Sequence, residues 1–136
     1  MTDCHTREVR RANMAAVRSR DTKPELVVRR AVHRMGFRFR LHGRDLPGKP
    51  DLILPRHRKV IFVHGCFWHK HDCRGGRSVP ATRTEFWATK RDANVARDMR
   101  AVSGLTARGW DVLVVWECWT RDMSSLAERL RGFLSL

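Results

Sequence analysis

Two rhythms of hydrophobic spacing run along this chain after residue 21. Val28, Ala31, Val32 and Met35 fall at i, i+3, i+4 and i+7, the period of one helix face. Thr22-Lys23-Pro24-Glu25 ahead of them has the form of a capping box with proline in the first turn, and Gly36 marks the stop. The period then shortens to two: Phe37, Phe39 and Leu41 alternate with Arg38, Arg40 and His42, predicting a strand with one wet face. "LPGKPDLILP" reads as a turn and a short strand, and "KVIFVHG" as a more deeply buried strand. A second Thr-x-x-Glu, Thr82 to Glu85, opens another helix, whose stripe of Val95, Met99, Val102 and Leu105 continues towards Gly109. "WDVLVVWE" is a nearly continuous apolar run, which predicts a strand covered on both faces with Trp110 and Trp116 in the core. A last helix runs from about Ser124 to Phe133.

Ahead of all this, "TREVRRANMAAVRSR" is basic and only weakly amphipathic, so residues 1–20 read as an arm or loosely docked helix. The order is helix, helix, three strands, helix, strand, helix, within 136 residues that form one domain with a sizeable core. No stretch approaches the roughly 18 apolar residues of a membrane span, and the N-terminus has no apolar signal core, so a cytoplasmic protein is expected. In that reducing setting the four cysteines point to metal binding or free thiols. Lys and Arg number 28 against 14 acidic residues, a net charge of +14. That excess suits a polyanion, nucleic acid first, although an arginine-rich codon usage would produce it too.

The segment α-β-β-β-α-β is the core order of the restriction-endonuclease-like nucleases, and Pro50-Asp51 stands where their Pro-Asp motif stands. The expected fold is therefore α/β, a central mixed four-stranded sheet flanked by helices. The next strand ends in Phe62-Val63-His64 instead of the usual acidic-x-Lys, so the generic motif is incomplete.

Longer words make a closer match. "LPGKPD", "HGCFWHKHDC", "PATRTEFW", the spaced Lys90, Asn94, Arg97 and Asp98, and "VWEC" together resemble the very short patch repair endonucleases, the Vsr family, over roughly residues 6 to 120. The resemblance implies an endodeoxyribonuclease that nicks one strand of duplex DNA 5′ to the T of a T:G mismatch. A monomer is expected, with a cytosine methyltransferase and mismatch-repair proteins as candidate functional associates that the sequence itself does not reveal. Two other readings are a zinc-dependent module that binds distorted duplex without cutting it, and a restriction-type nuclease indifferent to mismatches.

Cys66, one of His69 or His71, Cys73 and the distant Cys118 can supply a Cys₃His tetrahedron with no open position, the arrangement of a structural zinc site; unrelated buried thiols are the alternative. Spacing alone leaves the histidine undecided. The resemblance implies His71 as the ligand and His69 as the general base. Cys4 has no assigned role.

Asp51, a carboxylate at a strand start near a basic surface, suits a hard cation such as Mg²⁺; capping the turn after Pro50 is its bland alternative. By resemblance, the carbonyl of Val63 is a second magnesium ligand, a valine here keeping the carbonyl and losing the family's hydroxyl. His64 takes the place of the nuclease lysine, to stabilise the phosphate or orient water; a strand-end histidine with no catalytic role is the alternative. Glu25 has two accounts, a cap in Thr-x-x-Glu or, by resemblance, a group beside the hydrated metal.

Phe67 and Trp68 lie in a tight polar loop between candidate metal ligands, where core burial of both is difficult, and Trp87 follows a helix start; such side chains can enter a base stack at a cost that falls at a mismatch. A local hydrophobic cluster over the zinc knot is the competing reading. Met14 is a further wedge by resemblance. Arg10, Arg11, Arg83 and Lys90 are candidate phosphate contacts, and Asn94 a further DNA-binding candidate.

Overall fold

A computed structural model describes residues 22–77 and 82–135. Met14, Arg10, Arg11 and Cys4 lie outside them, as does the whole basic arm. The elements are α1 (Lys23–Arg34), β1 (Arg40–Leu41), β2 (Leu52–Leu54), β3 (Lys59–His64), α2 (Arg74–Arg77), α3 (Thr84–Ala107), β4 (Asp111–Trp116) and α4 (Met123–Leu134). Short 3₁₀ turns follow β2 and β4.

The strands form one sheet in the order β1-β2-β3-β4. β1 and β2 pair antiparallel, as do β2 and β3, while β3 and β4 are parallel, from Lys59↔Asp111 to His64↔Trp116. A parallel neighbour needs a long crossover, and α3 provides it. The expected α/β architecture with a mixed four-stranded sheet is thus present.

Period-two alternation sends successive residues of β2 and β3 to opposite faces. Leu52, Leu54 and Ile61 pack with Val28 and Val32 of α1 and with Leu126, Leu130 and Leu134 of α4. Ile53, Val60 and Phe62 pack on the other face against Ala101 and Leu105 of α3. Both faces are covered, so cutting a fully buried residue such as Leu52 back to alanine should cost about 2 to 5 kcal/mol. His64 continues the Val60–Phe62 parity and therefore faces α3.

Helix α1 begins and ends where its caps predict: the Thr22 hydroxyl accepts from the Glu25 N–H at 3.4 Å, and Gly36 adopts φ 87°. Four expectations need correction. The Phe37–Leu41 alternation yields only a two-residue strand, because its partner β2 is three residues long and His42 turns the chain at φ 53°. The second Thr-x-x-Glu forms no capping box: Arg83 is the N-cap, in the left-handed region, with no side-chain cap bond. Met99 is exposed, and the buried positions of α3 are Arg91, Ala101 and Leu105. β4 lies at the sheet edge and is covered on both faces as expected, Leu113 and Val115 packing with the first cluster and Val112, Val114 and the preceding Trp110 with the second, but Trp116 lines the site described next instead of filling the core. Among the described residues no helix is long and apolar enough to cross a membrane.

Candidate active site

The loop after β3 winds back on itself. His69 N–H donates to the Gly65 carbonyl at 3.2 Å and His71 N–H to the Cys66 carbonyl at 3.0 Å. Lys70 between them is left-handed at φ 52°, and the two histidines end in different clusters. His71 joins Cys66, Cys73 and Cys118, whose ligand atoms all lie within 4.8 Å of one another. Cys118 Sγ stands 3.5 Å from His71 Nδ1, close to the roughly 3.6 Å expected between a thiolate sulfur and an imidazole nitrogen that share a tetrahedral zinc. The Cys118 N–H donates to Cys66 Sγ and the Gly76 N–H to Cys73 Sγ, each at 3.4 Å. Trp116 stacks on the His71 ring at 4.1 Å between centroids.

The titration of these groups follows their surroundings. Burial pushes the Cys66 thiol up to about 12, with the neighbouring thiols adding to the shift. The Gly76 N–H holds Cys73 below the ordinary thiol range. Burial lowers His71, which keeps its imidazole neutral, the form that binds a metal. A soft, tetrahedral cation fits this donor set.

His69 Nδ1–H instead donates to Asp98 Oδ2 on α3 at 2.5 Å. The His64 ring stacks on His69 at 3.9 Å and 5° from parallel, and its Nε2 is 3.8 Å from Asp98 Oδ1. Burial, with a smaller contribution from His69, lowers the His64 pKa to about 4, so that ring is neutral near pH 7.

Asp51 and Glu25 form the third cluster. Asp51 Oδ2 accepts the Val63 N–H at 2.7 Å, fixing the carboxylate against the end of β3. Glu25 is buried beside it, and Arg29 one turn along α1 donates both to Glu25 Oε2 at 3.0 Å and to His42 Nε2 at 3.2 Å. Desolvation raises the Asp51 pKa to about 7; the Val63 N–H opposes this, the Glu25 charge adds to it, and Arg29 opposes it. Two acidic groups crowded in this way fit a hard divalent cation, which would relieve their repulsion.

A cleft of about 1200 Å³ is lined by Glu25, Asp51, Val63, His64, His69 and Asp98, among others, and reaches Phe67 and Trp68. Phe67, Trp68 and Trp87 meet edge to face at 5.2 to 5.9 Å between centroids, and all three are half-buried. Phe86 joins them through Trp87 at 5.2 Å. The cations of Arg83 and Lys90 lie over its ring at 4.1 and 5.4 Å. Asn94 donates to the Trp68 carbonyl at 3.1 Å.

Comparison with known proteins decides what kind of chain carries this cleft. The family model "DNA mismatch endonuclease Vsr" matches residues 2–75. Type II nicking enzyme V.XorIIP of Xanthomonas oryzae pv. oryzae is 51% identical over 134 residues, 98% of each chain. DNA mismatch endonuclease Vsr of Escherichia coli is 45% identical over 128 residues, 94% of this chain and 81% of that one. Type II nicking enzyme V.NmeAIP of Neisseria meningitidis is 39% identical over 130 residues, 96% and 92% of the two chains.

The chain belongs to the Vsr family of DNA mismatch endonucleases. It is an endonuclease, acting on DNA, with the restriction-endonuclease-like fold of the Vsr family; the binding-only reading is set aside. Membership in a nuclease family implies divalent-metal chemistry.

In or around this Vsr-family cleft, Asp98, Arg29, His42, Phe86 and Arg91 make contacts that sequence reasoning does not assign them. Glu25 and Arg29 stand at i, i+4, a helical ion-pair spacing. Arg91, Asn94 and Asp98 stand at i, i+3 and i+7, a polar stripe along α3 that is their signal in the sequence.

Proposed function

We propose that this chain is a Mg²⁺-dependent endonuclease that nicks duplex DNA 5′ to the T of T:G mismatches in very short patch repair. In this reading the whole chain is one cytoplasmic nuclease domain whose arm, through Arg10, Arg11 and Met14, embraces the duplex. The observation that carries the proposal is the cleft: an acidic pair and a His–Asp pair share it, and the aromatic cluster reaches into it.

Asp51, with Glu25 and the Val63 carbonyl, would hold magnesium. When bound, the cation supplies Lewis-acid activation of the phosphate and a leaving-group stabiliser. His69, with Nδ1–H donated to Asp98, offers Nε2 as the base that takes a proton from the attacking water. His64, neutral and stacked on His69, keeps that ring in one orientation and lies close enough to the cleft to contact the phosphate. Cys66, His71, Cys73 and Cys118 would bind a structural zinc that braces the loop. Phe67, Trp68 and Trp87 enter the base stack, where unstacking is cheapest at a mismatch, while Arg83, Lys90 and Asn94 contact the DNA.

The test is a nicking assay with Mg²⁺ on end-labelled duplexes carrying T:G, T:A or C:G in the same context. Cutting confined to the T-strand of T:G supports the proposal. Equal cutting of the matched duplexes would leave a nuclease without mismatch selection.

A further inference from the structure

We propose that Arg91 is a positioning residue for the Phe67–Trp68 wedge, and so helps to set how strongly mismatched DNA is preferred over matched DNA. The inference rests on the wedge reading above. Arg91 is one of the three buried polar side chains among the described residues, on a stretch of α3 whose neighbours Lys90 and Asp92 are exposed. A guanidinium withdrawn from water must be well partnered. Its Nε donates to the Phe67 carbonyl at 2.7 Å, its Nη2 donates to the Gly76 carbonyl, and its Cζ lies over the Phe67 ring, 4.4 Å from the centroid.

These contacts span the loop that carries the cysteines. Phe67 directly follows Cys66, and Gly76 comes three residues after Cys73. Gly76 itself is packed so closely that a Cβ there would run into the His71 carbonyl. One turn along α3, Asn94 donates to the next carbonyl, that of Trp68. The two consecutive peptides of the wedge are therefore bonded to two residues one turn apart on a single helix.

A wedge separates mismatched from matched DNA only if its backbone resists while the base stack yields. A wedge that recoils at a matched step, or that fails to press at a mismatched one, loses the energy difference it is meant to read. The planar fork of arginine can bond two carbonyls while stacking on an aromatic ring, and lysine cannot do all three.

The experiment compares wild type, Arg91→Lys, Arg91→Gln and Phe67→Ala as full chains. It measures zinc content, melting temperature, nicking of T:G against T:A, and the fluorescence of 2-aminopurine placed beside the mismatch. Arg91→Lys should keep its zinc and lose about tenfold in T:G preference, the size of one weakened base–aromatic contact. The 2-aminopurine signal on binding T:G should fall with it, a readout that a merely structural role would not move. Arg91→Gln, which keeps one donor for the Phe67 carbonyl, serves if the lysine variant does not fold. Unchanged preference and fluorescence in a folded Arg91 variant would overturn the inference, as would failure of both variants to fold, which would make Arg91 a packing residue only. Phe67→Ala separates the two levels: if it loses discrimination and the Arg91 variants do not, the wedge stands and only Arg91 falls. If it too discriminates like wild type, the wedge reading itself has failed.

Discussion

His69 and Asp98, 29 positions apart in sequence, are joined by a hydrogen bond of 2.5 Å from the ring Nδ1–H to the carboxylate. The bond fixes which ring nitrogen carries the proton, leaving Nε2 as the acceptor. Asp98→Asn should therefore slow nicking by about 10²- to 10⁴-fold, the range of a misplaced general base, with mismatch binding and zinc content intact. Single-turnover rates at saturating enzyme measure this, and a variant that cuts at the wild-type rate would remove Asp98 from the mechanism.

The two nearby histidines should separate cleanly. His71 lies among the thiols and His69 does not, so His71→Ala should lose zinc and melt lower, because structural zinc contributes directly to folding. His69→Ala should keep zinc, fold and mismatch binding while losing turnover. Metal analysis, thermal melting and nicking rate on both purified variants would show it; zinc lost from His69→Ala alone would invert the assignment.

Magnesium binding should depend on pH through Asp51. Its folded pKa of about 7 lies above the ordinary 3.8, so in the metal-free protein the stability tied to its proton is fully present below 3.8 and is lost as pH rises through about 7. A cation competes with that proton. Mg²⁺ should raise the melting temperature little at pH 5 and most at pH 8, and Asp51→Asn should abolish both the effect and nicking. Since Arg29 holds the Asp51 pKa down, Arg29→Met should move the midpoint of the Mg²⁺ effect upward. A shift downward would show that Arg29 does not act on this carboxylate.

His64 should have the opposite slope. Its folded pKa of about 4 lies below 6.5, so the stability gained by burying the neutral ring is complete above 6.5 and is lost as pH falls through about 4. His64→Phe keeps an aromatic ring and removes the titration. Melting temperature against pH should be flatter for the variant between pH 4 and 6.5, and parallel curves would refute the burial argument.

Features written locally were the legible ones. Helix α1 could be bounded because Thr22 and Gly36 act on residues within one turn. The four metal-type donors were visible because three of them fall within eight positions, yet the choice between His69 and His71 was not, since both are within reach and a left-handed Lys70 separates them. Asp51 and Glu25 could be named singly, but their mutual approach depends on how α1 packs across the sheet. No box forms at Thr82–Glu85 because the chain enters α3 through a left-handed Arg83, and an apolar run does not reveal that its last residue, Trp116, stacks on His71 beyond the core.

The six-residue register between β3 and β4 also acts as a reading frame. His64 faces Trp116, and Cys66 and Cys118 follow two positions beyond that pair, each just past the end of its strand. Side chains alternate faces along a strand, so a slip of one residue would carry His64 away from Asp98 and part the two thiols in the same step. The chain should therefore absorb many single substitutions between residues 59 and 66 more readily than one inserted or deleted residue, which leaves every functional group present and sets His64 on the wrong side of the sheet.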